Sequence, residues 1–71
     1  MQTKYDWSNV PKEVNWIATD FDAGYAFGYE TKPEMDKVMD LWKDKSIIDY
    51  INLYIEPFQG NWKNSLEERP K

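Results

Sequence analysis

The sequence predicts a mainly β fold of the α+β class: a small antiparallel sheet of three to four strands with a short C-terminal helix. Three observations carry that expectation. Residues 15–19 and 25–29 are rich in aromatic and β-branched side chains, and they flank a turn-forming stretch that holds Asp20, Asp22 and Gly24. Residues 47–56 carry Ile47, Ile48, Ile51 and Ile55, whose β-branching favours a pleated surface over a helical turn. The tail opens on Asn61, a helix-capping residue, and stops at Pro70.

The size of the chain explains its composition. A single domain of 71 residues, 1–71, buries only about 60% of the surface that its unfolded chain exposes. With no cysteine, neither a disulfide nor a thiolate metal site can supplement so small a core. Four tryptophans, five tyrosines and three phenylalanines take that role. Each ring can bury on the order of 150–250 Å².

In chain order, the entry segment 6–11 contains Ser8, Asn9 and Pro11, which favour a turn, with Trp7 and Val10 to pin it to one end of the sheet. The hairpin follows over 15–30. Along its second strand Tyr25, Phe27 and Tyr29 share one face, and Ala26 and Gly28 share the other. Lys32 and Pro33 end that strand, because proline has no N–H to give to a ladder. The segment 34–43 fits two templates. Met35, Val38, Met39 and Trp42 follow the spacing of one helical face, with Pro33 suited to a first turn, which allows a helix over 34–44. Residues 39–43 also alternate as a strand after a loop would. In 47–56, Ile47, Ile51, Leu53 and Ile55 fall on one side with Asp49, and Ile48, Tyr50, Asn52 and Tyr54 fall on the other. Pro57 and Gly60 break this strand, and a helix over 62–68 would turn Trp62 and Leu66 toward the sheet together.

The chemistry open to the chain is narrow. With no histidine and no cysteine, Ser-His-Asp and Cys-His nucleophile systems and the common zinc sites are absent. The Asp20, Asp22, Gly24 pattern resembles the start of a calcium loop. That loop needs an oxygen ligand at its fifth position and glycine at its sixth, where this chain has Gly24 and Tyr25, so the pattern reads as a hairpin turn. Asp20 and Asp22 as an acid and base pair would need a pocket that shifts one of them, for which so small a domain has little room. The expectation is therefore no catalytic residue, no metal, no cofactor and no enzymatic activity. Nine basic against thirteen acidic residues give a net charge of −4, which argues against a nucleic-acid backbone as partner. No apolar stretch of 18 residues or secretory core occurs, so the chain is expected to be soluble and to need no membrane.

Partner contact is the remaining class. Packing requires only one face of each strand, which would leave Tyr50 and Tyr54 as aromatic anchors, with Trp42 as a third candidate. If 34–44 is helical, Asp36, Asp40 and Asp44 recur along one stripe that could imitate a phosphate backbone. The competing reading makes the rings core residues and the carboxylates an ordinary solvated face, diluted by Lys32, Lys37, Lys43 and Lys45.

Asp6-Trp7-Ser8, Pro11, Trp16-Ile17-Ala18-Thr19-Asp20, the tyrosine-bearing second strand, Lys32-Pro33, Trp42 and the closing Gly60-Asn61-Trp62-Lys63-x-Ser65-Leu66-Glu67-Glu68-Arg69-Pro70 together resemble a group of small proteins encoded by tailed phages and prophages. The tail block is the most specific part, since it combines uncommon residues at fixed offsets. The group's first turn usually reads Asp-x-Asp-Gly, whereas here Ala23 separates Asp22 from Gly24. The resemblance implies a phage origin and assigns no catalytic residue. The resulting expectation is a phage-encoded, non-enzymatic protein in the host cytoplasm that docks on a host protein, such as a defence or nucleic-acid-processing factor, and inhibits or modulates it. A virion or assembly accessory that oligomerises through a sheet edge is the alternative, and single-stranded nucleic-acid binding is a third.

Overall fold

The computed structural model describes residues 3–21, 24–43, 51–53 and 55–70. In chain order the strands are β1 (Trp16–Ala18), β2 (Phe27–Tyr29), β3 (Glu34–Asp36), β4 (Leu41–Lys43), β5 (Ile51–Asn52) and β6 (Glu67–Glu68), with a 3-10 turn at Trp62–Asn64. The fold is mainly β, as its alternating aromatic and β-branched runs dictate. Four strands form one antiparallel sheet in the order β5-β2-β1-β6, and β3 pairs with β4 as a separate hairpin. The 15–30 hairpin forms in the register Trp16 to Tyr29, Ile17 to Gly28 and Ala18 to Phe27.

That register sorts the side chains into two cores. On one side of the sheet Tyr5, Val14, Ile17 and Ala26 are buried, with Trp7, Val10, Leu53, Ile55 and Phe58 packed around them. On the other side Ala18, Tyr29 and Trp42 are buried, against Trp16, Phe27, Met35, Trp62 and Leu66. The expectation that one strand face would suffice for packing is therefore corrected: the entry segment with Leu53, Ile55 and Phe58 covers one face, and the β3–β4 hairpin and the tail cover the other. A thin sheet gains apolar burial on both sides this way, which matters in a chain too short for one large core. Gly28 shows how closely the first layer approaches. A Cβ there would sit 2.8 Å from a Val14 methyl, so only glycine lets the entry segment lie on β2.

The helix expected at 62–68 and the helical alternative over 34–43 are not present. The strand expected at 39–43 is realised over Leu41–Lys43, and the loop expected before it contains a further strand, Glu34–Asp36. Met35 and Trp42 pair across the resulting hairpin and face the core. The cause is the loop 37–40. The Asp36 carboxylate accepts the N–H groups of Val38 and Met39, each at 3.0 Å, and Asp40 adopts φ 56, a left-handed conformation that aspartate tolerates. In the tail, Asn61 caps Lys63 as its residue type predicts, at 3.0 Å, but the helix stops after one 3-10 turn and the chain rejoins the sheet as β6. Seven residues are too few to sustain a helix without tertiary help. Pairing of Glu67 and Glu68 with Ile17 and Trp16 wins instead. Trp62 and Leu66 still reach one core together. Of the expected strand over 47–56, β5 is described at Ile51–Asn52 and continues its bonding to β2 through the Leu53 N–H to the Ala26 carbonyl at 3.2 Å. Ile47, Ile48, Asp49, Tyr50 and Tyr54 lie outside the described residues.

Candidate functional site

The sheet, the hairpin and the tail meet at Ser65, which is fully buried. Its Oγ accepts the Thr19 N–H at 2.9 Å and the Trp42 indole N–H at 3.1 Å. Its one proton lies between the Trp62 carbonyl at 2.6 Å and the Thr19 carbonyl at 3.0 Å. Beside it the Tyr5 hydroxyl donates to the Ser65 carbonyl at 2.7 Å, so the 2.8 Å contact between Tyr5 Oη and Thr19 Oγ1 has the threonine as donor. Thr19 Oγ1 in turn accepts the Phe58 N–H at 3.1 Å. Burial pushes the Tyr5 phenol above its ordinary value, which keeps it neutral and donating. Among the described residues no buried side-chain nitrogen or oxygen lacks a partner. With its lone pairs and its proton all engaged, Ser65 is a structural hub that ties the tail to the end of β1 and to β4.

Trp42, expected as a partner anchor, belongs to this hub. It is 7% exposed, packs edge-on against Trp62 with ring centroids 6.2 Å apart, and also donates its indole N–H to the Trp62 carbonyl at 3.2 Å. Asp36 is half-buried beneath the hairpin turn and lies 3.7 Å from Lys43. The turn amides hold its carboxyl below the ordinary range, the Met39 N–H most strongly, with Lys43 adding to the effect. Asp40 is exposed at the end of the same turn. A turn, not a helical stripe, thus separates Asp36 from Asp40. Asp44, Tyr50 and Tyr54 lie outside the described residues.

The turn presents what the sequence reading did not single out. Val38 is 91% exposed and Met39 65% exposed, side by side at the hairpin tip. Phe21, 59% exposed, lies at their base, because its N–H bonds the Asp40 carbonyl at 3.1 Å. Both templates concealed the pair: the helical one turned Val38 and Met39 to an inward face, and the strand over 39–43 took Met39 as its first residue.

Next to Phe21 an open cleft of about 380 Å³ is lined by Asp20, Phe21, Phe58, Gly60, Trp62 and Lys63, among others. Asp20 is half-buried. Its Oδ1 accepts the Trp42 backbone N–H at 2.8 Å, and burial raises its carboxyl above the ordinary value despite that bond. Gly60 takes φ 152, and a Cβ there would meet the Phe58 ring at 3.0 Å, so glycine is what allows the wall to close against that ring. Asp20 opened the pattern that resembled a calcium loop; here its described oxygen contact is an amide. Among the described residues no group of three or more histidine, cysteine or acidic side chains is placed to hold a metal ion, and no helix is long and apolar enough to cross a membrane.

With this geometry in hand, a scan against protein-family models, a search of curated proteins and a search of solved structures return no match to the chain.

Proposed function

We propose that this chain is a phage-encoded, non-enzymatic binding protein that docks on a host protein through the β3–β4 tip and so inhibits or modulates it. The observation that carries the reading is the pair Val38 and Met39, held in water on a turn that Asp36 fixes from below. An apolar pair has no folding reason to stand at a tip, and a preorganised tip costs little entropy to dock. Phe21 widens the surface, and Met39 supplies an adaptable side chain. The motif resemblance supports the phage origin, and a hub built of saturated groups supports a scaffold without catalytic chemistry.

The alternatives find less support. Edge-to-edge assembly through β6 would meet a strand that is two residues long, carries Glu67 and Glu68, and has the Lys4 ammonium on the Leu66 carbonyl at 3.0 Å. Stacking of single-stranded bases would need the ridge, but Tyr29 is buried and Phe27 is half-buried against the core.

A photo-crosslinking residue placed at position 38, with one at Lys12 as the control, tests the reading in infected-host lysate. One stoichiometric host adduct from position 38 alone, abolished by Met39→Glu, is the expected result. Adducts that are absent, or identical from both positions, would count decisively against the tip.

A further inference from the structure

The chain answers its own cations with aromatic rings. Lys4 lies over Phe58 at 5.7 Å, Lys32 over Trp16 at 5.6 Å, and Arg69 over Trp7 at 5.0 Å. Phe21 and Trp62, which line the cleft with the half-buried Asp20 carboxylate, carry no such cation among the described residues. Asp20 also makes no ion pair among the described residues. The exposed Phe21 ring and the half-buried Trp62 ring, already packed edge-on against Trp42, stand beside a carboxylate with no ion pair among the described residues. In a chain of net charge −4 they form a site of one clear complementarity.

We propose that this cleft receives an arginine side chain of the docked partner. The guanidinium is planar and weakly hydrated, stacks on aromatic faces and bonds a carboxylate, so it matches rings and Asp20 together better than a compact ammonium does. The inference rests on the docking reading above, since Phe21 belongs to both the tip and the cleft. Lys63 stands on the rim as an exposed competing charge, and Lys4 already occupies part of Phe58, which leaves Phe21, Trp62 and Asp20 as the recognition set.

The test is an amide NMR titration of the full chain with N-acetylarginine methylamide, with the citrulline analogue as its neutral isostere. Saturable shifts at the Trp42 backbone amide and the Trp62 indole are expected with arginine and not with citrulline. Asp20→Asn keeps an acceptor for the Trp42 N–H, so the fold is retained, and binding weakens by about tenfold as the charge-assisted bond is lost. Phe21→Ala, at an exposed position, weakens it independently, and Lys63→Gln tightens it. No saturable shift, equal response to citrulline, unchanged binding in Asp20→Asn or Phe21→Ala, or tetramethylammonium binding as tightly as arginine would each overturn the assignment. Met39→Glu leaves this titration unchanged while abolishing the crosslink from position 38, so failure of the cleft and failure of the tip are distinguishable.

Discussion

Ser65 carries more of the structure than its size suggests. It is buried, it accepts from Thr19, just past β1, and from Trp42 on β4, and it sits in the tail, so one hydroxyl joins three parts of the chain. Ser65→Ala leaves the Thr19 N–H buried without an acceptor, while the Trp42 indole keeps its bond to the Trp62 carbonyl. At about 1–3 kcal/mol for an orphaned donor, the expected loss is about 1–3 kcal/mol. In a domain this small that lowers the melting temperature by roughly 5–20 °C. Thermal unfolding followed by near-ultraviolet circular dichroism reads the shift, with exposed Ser8→Ala as the control. A loss no larger than that of Ser8→Ala would remove Ser65 from its place at the centre.

At the scale of the element, the β3–β4 hairpin is held by two carboxylates in opposite electrostatic situations. Asp36 accepts turn amides and lies near Lys43, which lowers its pKa, whereas burial raises that of Asp20 beneath Trp42. The signs for stability are opposite as well. A lowered folded pKa means that Asp36 stabilises above its ordinary value of 3.8 and that this contribution is lost as pH falls through its folded value. A raised folded pKa means that Asp20 favours the folded state below its ordinary value, and that contribution is lost as pH rises through its folded value. Carboxyl carbon NMR titration is expected to find Asp36 with the lower midpoint and Asp20 with the higher. The reverse order would show that the turn amides do not hold Asp36. The same hairpin explains why the sequence left Trp42 between core residue and partner anchor: its burial depends on a partner, Ser65, that is 23 residues away.

At the scale of the molecule, the first and last described segments close on each other. The Arg69 guanidinium donates from Nε to the Val14 carbonyl at 2.8 Å and from a terminal nitrogen to the Pro11 carbonyl at 2.6 Å, while covering Trp7. The Arg69 N–H bonds the Asn15 carbonyl at 2.7 Å, and Glu67 accepts the Trp7 indole N–H at 2.8 Å. This clasp makes β1 a central strand and seals the Tyr5 side of the core. Arg69→Ala is expected to cost about 2 kcal/mol through two charge-assisted bonds and the ring contact, and Arg69→Lys less than that, since lysine keeps a cation for Trp7 although it lacks the fork that serves both carbonyls. Urea unfolding midpoints measure both. Equal loss in the two variants would assign the effect to the fork and not to the ring contact.

Local pattern alone determined the β1–β2 hairpin, because period-two alternation and a turn-forming segment between its strands allow one arrangement. It also determined which residues share a strand face, and that rings would replace disulfides. Tertiary structure alone decided three things. It resolved 34–43 as a hairpin, because the apolar spacing suits both templates and the choice falls to the amides that Asp36 captures. It converted 62–68 from a helix into a turn and a strand, because an available edge on β1 outweighs a helix of seven residues. It covered both faces of the sheet, because the residues that do so arrive from segments far apart in the chain, and such long-range closure leaves no trace in the periodicity of any one segment.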